Sequence, residues 1–268
     1  MRIIGFVSDF GLEDAWVGVC HAVISRACPQ TYVVDLAHQI PPFDIRKGAV
    51  VASAGVWQLP DAIHLVVVDP GVGGGRHDLC LVTKGGALLI GPDNGVLLPA
   101  SWHAGGVAEA YAIDASKLAP GPPLATFHAR DVLAPAAAAL ACGVEPRSLG
   151  EPIDPAGLVR APYEQAHREN GVVVTEVLDI DRFGSLRLGV YAEQIERFGL
   201  RVPRLEVTLG HLTMRIPFGS AFSEVPEGEP ICLLDSSGLL TLALRLSSAA
   251  ERYGVEPGEA IRIHPAAE

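Results

Sequence analysis

The sequence predicts an N-terminal α/β domain with a central, largely parallel sheet, followed by a smaller all-β, barrel-like domain. Three observations predict it. Short β-branched runs alternate with helically spaced apolar segments through the first half, the pattern of an α/β layer structure. Residues 144–168 then hold four prolines (Pro146, Pro152, Pro155, Pro162) without clear periodicity, which marks a boundary and sets the domains at 1–165 and 170–268. Beyond it, short strand-like runs are separated by Gly, Pro and Asp turns, as in a small barrel.

Taken in order, Arg2 to Val7 reads as a strand. After the loop Ser8-Asp9-Phe10-Gly11-Leu12-Glu13-Asp14, residues Ala15 to Ala27 carry apolar side chains at helical spacing until Cys28-Pro29 stops them. Thr31 to Val34 is a second strand, and Asp44 is a natural cap for a helix that runs to Trp57 before Leu59-Pro60. Ile63 to Val68 is almost unbroken in its apolar character, as suits a strand buried on both faces. Strands at Leu79–Thr83 and Ala87–Ile90 lead to the turn Gly91-Pro92-Asp93-Asn94-Gly95. Val132 to Ala141 is an Ala-rich helix, with Pro135 in its first turn and Gly143 as its stop. In the second domain the strands are Val172–Leu178, Leu186–Val190, Leu205–Leu209, Leu212–Ile216, Ile231–Leu234 and Leu239–Leu244.

Composition narrows the function. With 49% hydrophobic and 19% charged residues over 268 positions, the chain can bury a large core. The excess of 31 acidic over 20 basic residues, a net charge of −11, opposes binding to nucleic acid and to anionic membranes. The five cysteines form no C-x-x-C pair and lie in apolar surroundings, so neither a disulfide framework nor a zinc knuckle is expected. No signal peptide or membrane span of about 20 apolar residues is visible, and the expectation is a cytoplasmic protein.

The stretch Val-Val-Val-Asp-Pro-Gly-Val-Gly-Gly-Gly-Arg-His at 66–77 resembles a strand entering a phosphate loop. A dinucleotide fingerprint needs a third glycine and a following helix. Here Arg76 takes that position and a strand follows, and no Gly-Lys-Ser/Thr supports a Walker loop. What remains is Asp69 at the C-terminal end of a central strand, the usual ligand edge of an open α/β sheet. If the glycine turn folds back, Arg76 meets it. His128 and Asp131 precede the Ala-rich helix, Asp9 and Asp14 follow the first strand, and His38 follows the second; each has a capping or surface role as its plain alternative. A metal site built from Asp69, His77, Asp93 and His128 is a second reading. No G-x-S-x-G or H-E-x-x-H motif occurs.

Seven motifs in order resemble the S-adenosyl-L-methionine (SAM) hydroxide adenosyltransferases, whose relatives include fluorinases and chlorinases. They are S-D-F-G-L-E-D at 8–14, V-D-L-A-H-Q-I-P-P-F-D at 34–44, V-V-D-P-G-V-G at 67–73 with Arg76, G-P-D-N-G at 91–95, F-H-A-R-D-V-L-A-P-A-A-A at 127–138, I-D-R-F-G at 180–184 and D-S-S-G-L-L at 235–240. The resemblance implies a homotrimer with active sites shared between subunits, no cofactor, and SAM as the substrate. It implies hydrolysis to adenosine and L-methionine by Asp69, Arg76 and His128, since halogenating relatives carry other residues at the first and last of these. Asp9 would hold the ribose hydroxyls, and Phe43, Phe183 and Phe222 would wall the nucleoside. Asp14 and Asp181 would meet the methionine ammonium, Ser236 its carboxylate, and Ser185 would stand beside adenine. The chain departs from the family pattern at Ser185 and Asp235, where Asn is usual, at Ala129, where Gly is common, and after Ser185, where Leu186-Arg187-Leu188-Gly189 runs on without the Thr-Asn that usually follows shortly. A SAM- or adenosine-binding protein without turnover is the alternative from another class.

Overall fold

The computed structural model describes residues 2–118 and 123–266, and the chain divides into two compact units, Met1–Pro162 and Tyr163–Glu268. In the first unit the elements are β1 (Ile4–Ser8), α1 (Trp16–Ala27), β2 (Val33–Ala37), α2 (Ile45–Gln58), β3 (Ile63–Val67), β4 (Asp78–Thr83), β5 (Leu88–Pro92), α3 (Leu98–His103), β6 (Val107–Ile113), α4 (Ala134–Ala141) and β7 (Gly150–Ile153). Their sheet runs β2-β1-β3-β5-β4-β6-β7. It is parallel from β2 to β5 and antiparallel from β5 to β7.

The even alternation of side chains along β1 and β3 explains the layering. Ile4, Phe6, Ile63, Leu65 and Val67 join one core with Val17, Cys20 and Ile24 of α1 and the alanines of α4. On the opposite face α2 lies close to the sheet, because Gly48 and Gly55 present only backbone to Val68, Leu36 and His64. Both faces of β3 are therefore covered, which is why its sequence is a continuous apolar run. Asp44 caps α2 by accepting from the Lys47 amide at 2.9 Å.

The second unit holds β8 (His167–Glu169), β9 (Val172–Ile180), β10 (Leu186–Tyr191), α5 (Ala192–Arg197), β11 (Arg204–Leu209), β12 (Leu212–Pro217), β13 (Pro230–Leu234), β14 (Leu239–Leu244), α6 (Ala249–Tyr253) and β15 (Ala260–Pro265). The sheet order is β12-β11-β15-β9-β10-β14-β13, with β8 on β9. A bridge between Phe218 and Cys232 brings its two ends together, so the sheet is nearly a closed barrel. Its interior is a separate core that includes Val177, Leu188, Val207, Leu242 and Ile263.

Several expectations are corrected. The second strand lies at Val33–Ala37 rather than 31–34, and α3, α5, α6, β6, β7, β8 and β15 have no counterpart among the elements the sequence predicts. Asp131 does not cap the Ala-rich helix: a π-helical turn, Ala129–Leu133, precedes α4, and the Asp131 carboxylate instead accepts from the Leu124 amide at 2.9 Å. Cys28 and Cys142 are joined in a disulfide with a Cα–Cα distance of 5.8 Å. The sequence could not show this pairing, because α1 and α4 bring together cysteines 114 residues apart. Among the described residues no helix is long and apolar enough to cross a membrane.

Candidate active site

Asp69 leaves the C-terminal end of β3 and Arg76 stands two residues before β4. The glycines between them allow the chain to turn back. Gly73 has φ +77°, and a side chain there would collide with the carbonyl of Ala125, so both the left-handed backbone and the close approach require glycine. The guanidinium grips Asp69 with two donors, Nε to Oδ1 at 2.9 Å and a second nitrogen to Oδ2. It also pairs with Asp78, the first residue of β4. His128, just before the π-helical turn, places Nδ1 2.7 Å from Asp78 Oδ2 and 3.4 Å from Arg76.

The four side chains are largely withdrawn from water: 6% exposed at Asp69, 11% at Arg76, 9% at Asp78 and 17% at His128. Burial opposes the Arg76 charge, but the two carboxylates outweigh it and hold the guanidinium above its ordinary range. A fork-shaped cation suits this position, because one planar group must satisfy two carboxylates in different directions.

Asp69 and His128 open onto a cavity of about 400 Å³ that Asp9, Phe10, Trp16, Phe43 and Phe127 also line. The Asp9 amide donates to the Val67 carbonyl at 3.3 Å, tying the end of β1 to the end of β3. Its carboxylate accepts from the Phe43 amide at 2.8 Å. Phe43 is held at φ +70° and is 70% exposed, a conformation that costs a non-glycine residue about 1–3 kcal/mol and clusters at functional sites. Asn94 donates to the Val68 carbonyl at 2.8 Å, so the G-P-D-N-G turn steadies the chain beside Asp69.

In the second unit, Asp181, Phe183, Ser185 and Phe222 line a cavity of about 590 Å³ with Arg245 and Leu246. Asp181 Oδ1 accepts from the amides of Phe183 and Ser185 at 2.8 and 2.9 Å, which folds the turn and presents Phe183 to the surface. Three expected site residues lie outside these linings, Arg76 because it stands behind Asp69. Asp14 is exposed just before α1, and Ser236 is exposed on the turn between β13 and β14. Asp93 accepts from the Val159 amide at 3.0 Å. Among the described residues no three His, Cys, Asp or Glu side chains are grouped so as to hold a metal ion.

Models of the SAM hydroxide adenosyltransferase N-terminal and C-terminal domains match residues 4–150 and 175–262. The chain belongs to the SAM hydroxide adenosyltransferase family. It is 38% identical to a (R)-S-adenosyl-L-methionine hydrolase from Salinispora tropica, over 97% of each chain. It is equally identical to the protein of that name from Thermus thermophilus, over 98% of this chain and all of the other. The solved structure of an uncharacterized conserved protein from Thermotoga maritima superposes with a TM-score of 0.87 at 32% identity, covering 98% of this chain and all of that one.

Within this family member, two groups near the cavity were not legible as site residues. Asp78 looks like the polar start of a strand, and nothing local announces a partner fifty residues away. His38 was ambiguous; in the fold its Nδ1 lies 2.7 Å from Ser8 Oγ and its Nε2 3.0 Å from Asp35, which His21 also contacts. Burial raises the Asp35 carboxyl, but the two histidines outweigh that and leave it below its ordinary value. The network locks the β1 end that carries Asp9. The remaining thiols of Cys20, Cys80 and Cys232 are buried and pushed up to about 12, so they are packing groups rather than nucleophiles.

Proposed function

We propose that the protein hydrolyses SAM to adenosine and L-methionine by in-line attack of water on the ribose C5′. The observation that carries this reading is that Asp69 and His128 both line an otherwise largely apolar cavity, with Arg76 clasping Asp69 from behind. The hydrolases so named at 38% identity support it. In the reaction, the C5′–O bond forms as the C5′–S bond breaks, and the sulfonium leaves with the electron pair as neutral methionine. That departure needs neither a general acid nor a cofactor. The demand falls on the nucleophile, which must lose a proton and be held in line. Each Asp69 oxygen that accepts from Arg76 has a second lone-pair direction for a water. Positioning of this kind can lower a barrier by roughly 7–11 kcal/mol.

The substrate contacts follow the family pattern. Asp9 would take the ribose hydroxyls, with Phe43, Phe183 and Phe222 as apolar walls and Ser185 beside the adenine. Asp14 and Asp181 would take the methionine ammonium, and Ser236 its carboxylate. These residues fall on two units, and the family resemblance implies the assembly we propose, a homotrimer whose sites are each completed by a neighbouring subunit. Its setting is the cytoplasm.

One preparation tests the reading. Purified protein incubated with SAM should release adenosine and methionine in equal amounts, seen by chromatography, and Asp69→Ala should release neither. No product from the wild type, or full activity in Asp69→Ala, would sink the proposal. Binding of SAM without turnover would favour a sensor, and activity lost to EDTA and restored by a divalent ion would favour a metal hydrolase. The native mass should be three times the chain's 28.2 kDa; a monomer would overturn the shared site.

A further inference from the structure

We propose that Asp78 is a positioning residue that fixes His128 in its Nδ1–H form and so leaves the Nε2 lone pair to receive the proton of the attacking water. The proposal rests on the hydrolytic reading above and names the group that takes the proton. Asp78 is absent from the cavity lining, where Asp69 and His128 both stand. It therefore acts through His128 and Arg76 rather than on the substrate.

The tautomer follows from the contacts. Asp78 Oδ1 is paired with the Arg76 guanidinium, and a carboxylate in such a pair has acceptors only. Its Oδ2 lies 2.7 Å from His128 Nδ1. A bare Nδ1 would set two lone pairs face to face at that distance, so Nδ1 carries the hydrogen and donates it to Asp78. The competing arrangement, Arg76 donating to a bare Nδ1, has only a 3.4 Å contact behind it, beyond the usual 2.7–3.2 Å range of an N–H hydrogen bond. The shorter, charge-assisted bond prevails. In the neutral ring the second nitrogen is then the acceptor.

The carboxylate is also well placed to impose this. Asp78 opens β4, where it pairs with Pro92 of β5, and β4 lies inside the sheet between β5 and β6. His128 is the N-cap of the π-helical turn, with helical backbone angles of φ −59° and ψ −28°. When water attacks C5′, one of its protons passes to Nε2 and the ring becomes an imidazolium, whose charge faces the Asp78 carboxylate. Arg76 meanwhile remains bound to both carboxylates, so no member of the cluster is left unpaired.

The test combines histidine-labelled nitrogen NMR with kinetics on Asp78→Ala and Asp78→Asn, using His128→Gln to assign the signal. The wild type should show His128 as the Nδ1–H tautomer. Asp78→Ala should release the ring to the Nε2–H form, and Asp78→Asn should impose it, because the single amide oxygen accepts from Arg76 and leaves the –NH2 to donate to a bare Nδ1. Turnover should follow the tautomer. Asp78→Ala should lose about tenfold to a hundredfold in kcat, the scale seen when the carboxylate orienting a metal-bound histidine is removed, with KM within about twofold, and Asp78→Asn should lose at least as much. An Nε2–H tautomer in the wild type, or wild-type kcat in folded Asp78→Ala, would overturn the proposal. Should alanine prevent folding, the Asn variant decides, since Nε2–H there with full activity is equally fatal. If the wild type releases no adenosine from SAM, the hydrolytic reading fails, and the tautomer measurement still decides whether Asp78 sets the ring.

Discussion

His64 shows how one side chain couples this fold to pH. It is fully buried on β3, and burial pushes its imidazole down from 6.5 to about 4 against a hydrogen bond with the Leu59 carbonyl. Between those values the unfolded chain holds a proton that the folded chain does not. The resulting stability is complete above the unfolded value and is lost as the pH falls toward about 4. From pH 7 to pH 5 the loss from this group is about 2 kcal/mol, measurable as a difference in urea unfolding free energy. His64→Gln should remove that part of the slope; an identical pH dependence in both proteins would refute it. The site residues differ in how far they could be read. Asp69 and Arg76 were legible as partners because they flank a short run of glycines, and the structure brings them together. Asp78 was not, because its role depends on a histidine supplied by a different part of the chain. His38 was equally closed to local reading, since its partners Ser8 and Asp35 come from β1 and β2.

At the scale of elements, the turn between β13 and β14 is held by a cluster that the family's usual Asn at 235 would not build. Asp235 Oδ1 accepts from the amides of Ser237 and Leu239, and Oδ2 accepts from Arg187 Nε at 3.0 Å. Arg187, on β10, also donates to Asp179 of β9 at 2.9 Å. Burial opposes its charge, yet the carboxylates, Asp235 foremost, hold the guanidinium above its ordinary range. The turn exposes Ser236, the residue proposed to meet the substrate's carboxylate. Arg187→Lys can reach one carboxylate but not both, and should raise KM for SAM about tenfold, equivalent to about 1.4 kcal/mol of binding, with kcat nearly unchanged. Steady-state kinetics with unchanged KM would refute the link. Elements with strong periodicity, such as β3 and α2, were readable from sequence alone. Those missed were the helices α3, α5 and α6, none longer than six residues, the three-residue β8, and the strands β6, β7 and β15. Glu109, Glu151 and Arg262 interrupt those strands with exposed charges, and the strands are fixed by pairing with distant partners rather than by local pattern.

Across the whole chain, each unit has its own apolar core, and only the first is closed by a disulfide. The bond joins Cys28, the residue after α1, to Cys142, the residue after α4, and these two helices share one core. Closing a loop with a sequence separation of 114 removes freedom from the unfolded chain, and bonds of this kind contribute about 2–5 kcal/mol. Cys28 is buried but Cys142 is exposed, so a reductant has access to one end of the bond. In any compartment that keeps thiols reduced, the stability that matters is that of the open form. Hydrogen exchange separates the units: adding a thiol reductant should weaken protection in β1, β3 and α4 while leaving β9, β10 and β11 unchanged, because the second unit's core does not depend on that loop. Cys142→Ser should reproduce the reduced pattern and should no longer respond to reductant. Unchanged protection of β1 and β3 on reduction would show that α1 and α4 are held by packing alone; loss spread evenly over both units would show that the two cores unfold as one.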